Sequence, residues 1–347
     1  MGWLATILLA CGALSASVRA QEPATTLVSS RAIAVNTASG KAYAVEPERG
    51  TVAVYDPRTN ATNRVRVGSE PLALAVNEKT NRIYVVNHSA GTISVIDGKD
   101  DSMAATIDVG AHPYVVAVNE ATDKAYVSNT FSDVITVIDG PTNQATKLKA
   151  GSADSIVVDT KRDKIYLAGY QSTKLAVLDK TPAITGDVNV GMHAWGMALD
   201  QAKGELYVTR SQDGALEIID ETNGKTTLVP TGAIPCAVAL NASTNRAYVV
   251  NHADDTVTVI DTERRVVVAT VNVGPAPQSV AVDAKTDRVY LANSHGDSVS
   301  VIDGARNEVI RTLPTGSHPY DLVVDSRSGN LYVALEGDPA FAVLRLN

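Results

Sequence analysis

Two cysteines, two phenylalanines and two tryptophans are spread through 347 residues, and each scarcity excludes something. One cysteine, Cys11, falls in an N-terminal apolar stretch; without that stretch Cys236 has no partner for an intramolecular disulfide. The fold must therefore rest on its own core, which a chain of this length can bury. Basic residues are outnumbered 30 to 38, so nothing marks an electrostatic footprint for nucleic acid. No segment beyond the N-terminus approaches eighteen unbroken apolar residues, so none reads as membrane-spanning. Gly-x-Ser-x-Gly, a phosphate-cradling glycine loop and His-Glu-x-x-His are all missing, as is the Cys-x-x-Cys-His of covalent haem. Neither a cofactor nor a resident metal is expected.

The first twenty residues read as a processing signal. Trp3 to Leu14 is apolar but too short to span a bilayer, and Val18-Arg19-Ala20 precedes Gln21. Cleavage after Ala20 leaves 21–347 to fold as one domain in the periplasm, outside the cell or at its surface. Leu8-Leu9-Ala10-Cys11 also resembles a lipoprotein cleavage site, which makes a lipid anchor through Cys11 the alternative.

A tyrosine returns in one local context, evenly spaced, at Tyr43, Tyr84, Tyr126, Tyr166, Tyr207, Tyr248, Tyr290 and Tyr332. A period of roughly 40 residues made of short strands is that of a β-propeller blade. Ile83 to Asp97, Ala247 to Asp261 and Val289 to Asp303 each hold two β-branched runs joined by a short turn, which is a hairpin. A third run lies upstream and a fourth downstream, so each unit supplies four strands, A to D from the channel outward. Eight such units take up all of 21–347 and leave nothing for a second domain. The expected fold is an all-β, eight-bladed propeller of four-stranded antiparallel blades. The last unit ends on its third strand, and a run around Ala24 to Val28 would complete it by pairing the two termini. Seven blades is the alternative, because Ala42-Tyr43-Ala44-Val45-Glu46 departs most from the pattern.

The repeated residues have structural roles. The tyrosines are expected between blades. Asp56, Asp97, Asp139, Asp179, Asp220, Asp261 and Asp303 end strand C, where aspartate suits the start of a type I turn. Gly68, Gly110, Gly151, Gly191, Gly232, Gly274 and Gly316 mark the D-to-A crossover, where a tight bend favours glycine. Tyr84-Val-Val-Asn, Tyr126-Val-Ser-Asn, Tyr248-Val-Val-Asn and Tyr207-Val-Thr-Arg, each followed by a Val-Ile-Asp-like strand, resemble the YVTN family of β-propeller repeats over nearly the whole chain after residue 20. That resemblance implies exported or cell-surface binding and scaffold proteins, with no shared catalytic set to carry over.

Function must then lie where the units differ. Strands alternate in direction, so D-to-A crossovers and B-to-C loops share one face. All six histidines map there: His112, His193 and His318 in crossovers, His88, His252 and His295 in B-to-C loops. The crossover position of His112 is filled elsewhere by Ser29, Glu70, Ala153, Ile234 and Ala276. Two residues on stand Arg31, Leu72, Tyr114, Ser155, Trp195, Cys236, Gln278 and Tyr320. After strand B, Asn87, Asn129, Asn251 and Asn293 share their position with Glu46, Gly169, Arg210 and Leu335. Variable groups on a constant frame point to binding, with His112, Tyr114, His193, Trp195, Arg210, His318, Tyr320, Arg31 and Glu70 as candidates. The structural reading is a rigid His-Pro turn and a histidine copied with its blade. A monomeric scaffold presenting this face to a small molecule, glycan or protein is the first expectation. A metal-assisted lyase or hydrolase at the channel mouth, using His112, His193 or His318, is the second.

Overall fold

Each tyrosine-centred repeat folds into one antiparallel sheet with its strands in chain order. The computed structural model describes residues 31–346 except 131, 152, 180–183, 192 and 338. Among these residues there are seven sheets of four strands and an eighth of three, arranged as an eight-bladed β-propeller. The divergent first unit is a complete blade, Ile33–Val35, Ala42–Glu46, Thr51–Asp56 and Ala61–Arg66, so eight blades hold and seven do not. The eighth blade comprises Pro319–Asp325, Asn330–Leu335 and Phe341–Arg345. The closing strand expected around Ala24 to Val28, and the N-terminal signal, lie outside the described residues.

Burial explains the composition of each strand. Strands B and C are covered on both faces by neighbouring blades, as in Arg82–Asn87 and Thr92–Asp97, and so read as continuous β-branched runs. Strand D is outermost, and Ser102–Asp108 buries little beyond Ile107.

The eight tyrosines are between 0 and 3% exposed, and each joins two blades. Tyr43 of blade 1 packs with Leu74, Ile83 and Ile96 of blade 2; Tyr84 of blade 2 packs with Val116, Ala125 and Ile138 of blade 3. Tyr332 of blade 8 lies in the same cluster as Tyr43, and its ring meets Tyr55 edge-on at 5.9 Å. Blades 8 and 1 are thereby joined through packed side chains. Full burial of one such side chain is worth on the order of 2–3 kcal/mol.

The strand C aspartates cap the turns that follow them. Asp97 Oδ1 accepts the Lys99 N–H at 2.9 Å, and Asp261 Oδ1 accepts the Glu263 and Arg264 N–H groups at 3.1 and 2.9 Å. The turn closes when the fifth residue donates back to the aspartate carbonyl, as Asp101 does to Asp97 at 2.8 Å.

The crossover glycines divide: Gly110, Gly151 and Gly316 take φ of 96, 84 and 118°, the bend that favours glycine, whereas others are there for a different reason. Gly68 and Gly274 do not adopt a left-handed φ, but a Cβ at Gly68 would sit 2.6 Å from Asn87 Cγ. The asparagine ending strand B is the reason. Asn87 accepts the Gly68 N–H at 3.1 Å and donates to Thr92 Oγ1 and Ser94 Oγ at 3.0 and 2.9 Å. Asn251 repeats the pattern with Gly232, Thr256 and Thr258. These asparagines are buried locks between crossover and hairpin, not groups facing a partner.

Candidate functional site at the channel mouth

The eight A strands wall a central cavity of about 650 Å3. At its mouth the chain enters six of the A strands through a backbone conformation that side chains rarely adopt. Glu70, His112, His193, Ile234, Ala276 and His318 have φ between 45 and 61°. Left-handed backbone is disfavoured for any residue with a Cβ, and most for a β-branched one such as Ile234. What holds it is a bond from the B-to-C loop of the same blade. His88, Thr130, Ser211, His252, Ser294 and Glu336 donate their N–H groups to the carbonyls of Glu70, His112, His193, Ile234, Ala276 and His318 at 2.8 to 3.3 Å.

A β-bulge follows at once. The pairing of strands A and B slips around Leu72, Tyr114, Trp195, Cys236, Gln278 and Tyr320. This is the position that varies most between units. A bulge leaves its extra residue out of the ladder and re-aims its side chain. The variable residues therefore sit where the fold departs from regular pairing.

The candidates gather into three sectors of the rim. In the first, Tyr170 joins blades 4 and 5: its ring meets His193 edge-on at 4.1 Å and Trp195 at 4.9 Å. Its N–H donates to Asp154 at 2.6 Å, and Asp154 is in turn the charge that, after burial, most raises the Tyr114 hydroxyl. Burial raises the Asp154 carboxyl and lowers the His193 imidazole, with Asp213 opposing the latter. Tyr170 and Asp154 were absent from the sequence-derived set. Their only signal was that Gly169-Tyr170 replaces the Asn-His of other B-to-C loops.

The second sector spans blades 7, 8 and 1. The His295 and His318 rings lie 6.1 Å apart, and both stand near Glu336, whose carboxyl is raised by burial and lowered by the two imidazoles. Burial likewise raises the Tyr320 hydroxyl, beside Asp321 and Glu336. Arg31 donates to the Leu322 carbonyl at 3.4 Å. The third sector holds His112, its ring 5.0 Å from that of His88, and Glu70, whose carboxylate accepts the Ser89 hydroxyl.

The ring contacts place histidines of adjoining crossovers and B-to-C loops on one face, and His252 follows suit by bonding the Pro277 carbonyl at 3.0 Å. Arg210 stands apart from the other candidates. It takes the asparagine position of the lock, lies against Gly191, and pairs with Asp213 at 2.5 Å and with the buried Glu217 at 3.5 Å. Among the described residues no three of histidine, cysteine, aspartate and glutamate come close enough to hold a metal ion. No described helix is long and apolar enough to cross a membrane.

No family model matches the sequence, and no curated protein matches it. Solved β-propellers do match the fold. The Kuenenia stuttgartiensis hydrazine synthase aligns with a TM-score of 0.63 at 17% identity, covering 83% of this chain and 99% of that one. Dihydro-heme d1 dehydrogenase NirN in complex with DHE aligns with a TM-score of 0.78 at 13% identity, over 89% of this chain and 72% of that one. A functionally unknown protein from Desulfotomaculum acetoxidans aligns with a TM-score of 0.62 at 13% identity, over 79% and 95%. At these identities the likeness is one of fold alone.

Proposed function

We propose that the chain is an exported, monomeric binding propeller of the YVTN-repeat type, presenting the face around its channel mouth to a small molecule, glycan or protein. The observation that carries this reading is the pairing of strain with variability. Six blades hold a non-glycine residue left-handed at the crossover, and most place a different side chain on the bulge that follows. Backbone strain of about 1–3 kcal/mol per site persists where the surroundings over-determine it, and it concentrates at binding and active sites. The metal-assisted alternative gains no ligand set from the described residues. Export rests on the N-terminal signal, with cleavage after Ala20 and a lipid anchor through Cys11 as its two forms.

The test is a thermal-shift and array screen of the natively exported protein against glycans and small polar metabolites. It is repeated with His112, His193, Trp195 and Tyr320 each changed to alanine. Ligands found with the unaltered protein are expected to weaken with at least one of these changes. Binding that is indifferent to all four would refute the reading. The mass of the exported chain reports the N-terminus in the same preparation.

A further inference from the structure

The lock between crossover and hairpin carries a side chain in seven blades and none in the eighth. Asparagine, or Glu46, Arg210 or Leu335 in its place, occupies the position elsewhere; blade 4 has Gly169. The partner positions have changed with it. Asn87 donates to Thr92 and Ser94, and Asn251 to Thr256 and Thr258, but blade 4 has Lys174 and Ala176 there, so the receiving hydroxyls are gone as well. A Cβ at Gly68 or Gly232 would lie 2.6 or 2.8 Å from Cγ of Asn87 or Asn251, whereas one at Gly151 would meet nothing within 4 Å.

The open lock belongs to a cavity of about 670 Å3 between blades 3 and 4, lined by Gly151, Gly169, Lys174 and Ala176 and sharing no lining residue with the central one. Ala150, Leu167, Ala176 and Ile184 give it an apolar wall, and Ile184 is 48% exposed. Ser132, Gln171 and Ser172 of the two B-to-C loops form a polar edge. The lining carboxylates are Asp133, Asp154 and Asp187. Asp133 is met by Lys149 at 3.0 Å and Asp187 by Lys174, so the two rim carboxylates have their counter-charges. Asp154, at the end nearest the channel, leaves these five groups with one net negative charge. It accepts the Tyr170 N–H at 2.6 Å, and burial raises its carboxyl, a cost that a cation beside it would offset.

We infer that the open lock of blade 4 is a separate binding site for one small amine that carries an apolar chain or ring. The ammonium meets Asp154 in a charge-assisted hydrogen bond, and the apolar part lies along Leu167, Ala176 and Ile184. The volume is within the range of small-molecule sites, which are mostly apolar with a few placed polar groups. This site goes beyond the rim reading: it lies between two blades rather than around the channel mouth, and it depends on a residue that blade 4 lacks rather than on the bulge residues.

The probes are phenethylamine, 2-phenylethanol and 3-phenylpropanoate, which share a phenylethyl body and differ in the charge of the head group. Calorimetric titration of the full-length protein is expected to show one saturable site for phenethylamine. The alcohol should bind about tenfold more weakly or worse, the loss typical of one charge-assisted hydrogen bond, and the acid not at all. Asp154→Asn keeps an oxygen for the Tyr170 N–H and should raise the phenethylamine Kd about tenfold or more. The triple variant Gly169→Asn, Lys174→Thr, Ala176→Ser rebuilds the lock of blade 2 and should abolish binding, whereas Arg58→Gln on blade 1 should change nothing. Circular dichroism checks that each variant is folded. Equal Kd for amine and alcohol, or an unchanged Kd in Asp154→Asn, overturns the ammonium assignment. Phenethylamine that fails to bind the unaltered protein, or that still binds the rebuilt lock, overturns the site. None of these results touches the rim reading, which falls only if its own four variants leave every ligand unaffected.

Discussion

Changing Gly274 to alanine tests the reason given for Gly68 and Gly274. An added Cβ would lie 2.6 Å from Nδ2 and 2.7 Å from Cγ of Asn293, a fully buried side chain. That amide donates to Ser298 Oγ at 3.2 Å and Ser300 Oγ at 2.9 Å. Driving it aside forfeits both bonds, about 2 kcal/mol at about 1 kcal/mol each. With an unfolding entropy of about 2 cal/mol/K per residue over roughly three hundred residues, this lowers Tm by about 3 °C. Asn293→Ala removes the same two bonds and should lower Tm by a similar amount. The double variant decides the matter. If the amide is what excludes a Cβ, the pair should lose about 3 °C rather than about 6 °C, since only the asparagine Cβ, at 3.0 Å, still presses on the new methyl. Thermal melts followed by circular dichroism on the four proteins suffice, with Gly186→Ala as reference because nothing lies within 4 Å of its added Cβ. Additive losses would refute the lock, and a neutral Gly274→Ala would do so at once.

The strained rim yields a prediction of opposite sign. Ala276 holds φ 50°, so Ala276→Gly should leave stability unchanged or raise it by up to about 1 kcal/mol, although glycine normally costs about 0.5–1 kcal/mol in ordered backbone; a loss above about 1 kcal/mol in urea unfolding would contradict the left-handed assignment. Acid should act through the strand C aspartates. The Arg58 guanidinium lowers the Asp56 carboxyl to about 2, the Thr142 hydroxyl lowers Asp139, and the Arg264 N–H lowers Asp261. Because their folded values lie below the ordinary 3.8, their stabilisation is present above that pH and is lost as pH falls towards 2. Melting temperature should therefore fall between about pH 4 and pH 2, and the Asp56→Asn, Asp139→Asn, Asp261→Asn triple variant should fall less steeply; identical slopes would refute this account.

The ring was legible in the chain because a repeat fold writes its architecture once per unit. Evenly spaced tyrosines set blade number and strand order, and the strand C aspartates marked their turns, since both depend on contacts within a unit or with the next copy of it. Placing all six histidines on one face followed from strand alternation alone. What depends on two different units meeting was not legible. Gly68 and Gly274 resembled turn residues until Asn87 and Asn293 occupied the space beside them, and Arg210 resembled a rim group until it filled the lock beside Gly191. Tyr170 and Asp154 entered the site only through neighbours in adjoining blades. The bulges and the left-handed crossovers were equally hidden, because no residue type announces them when Glu70, Ile234 and His318 all adopt the same φ. Local sequence determines which strand a residue belongs to, whereas closure of the ring decides which residues of different blades share one pocket.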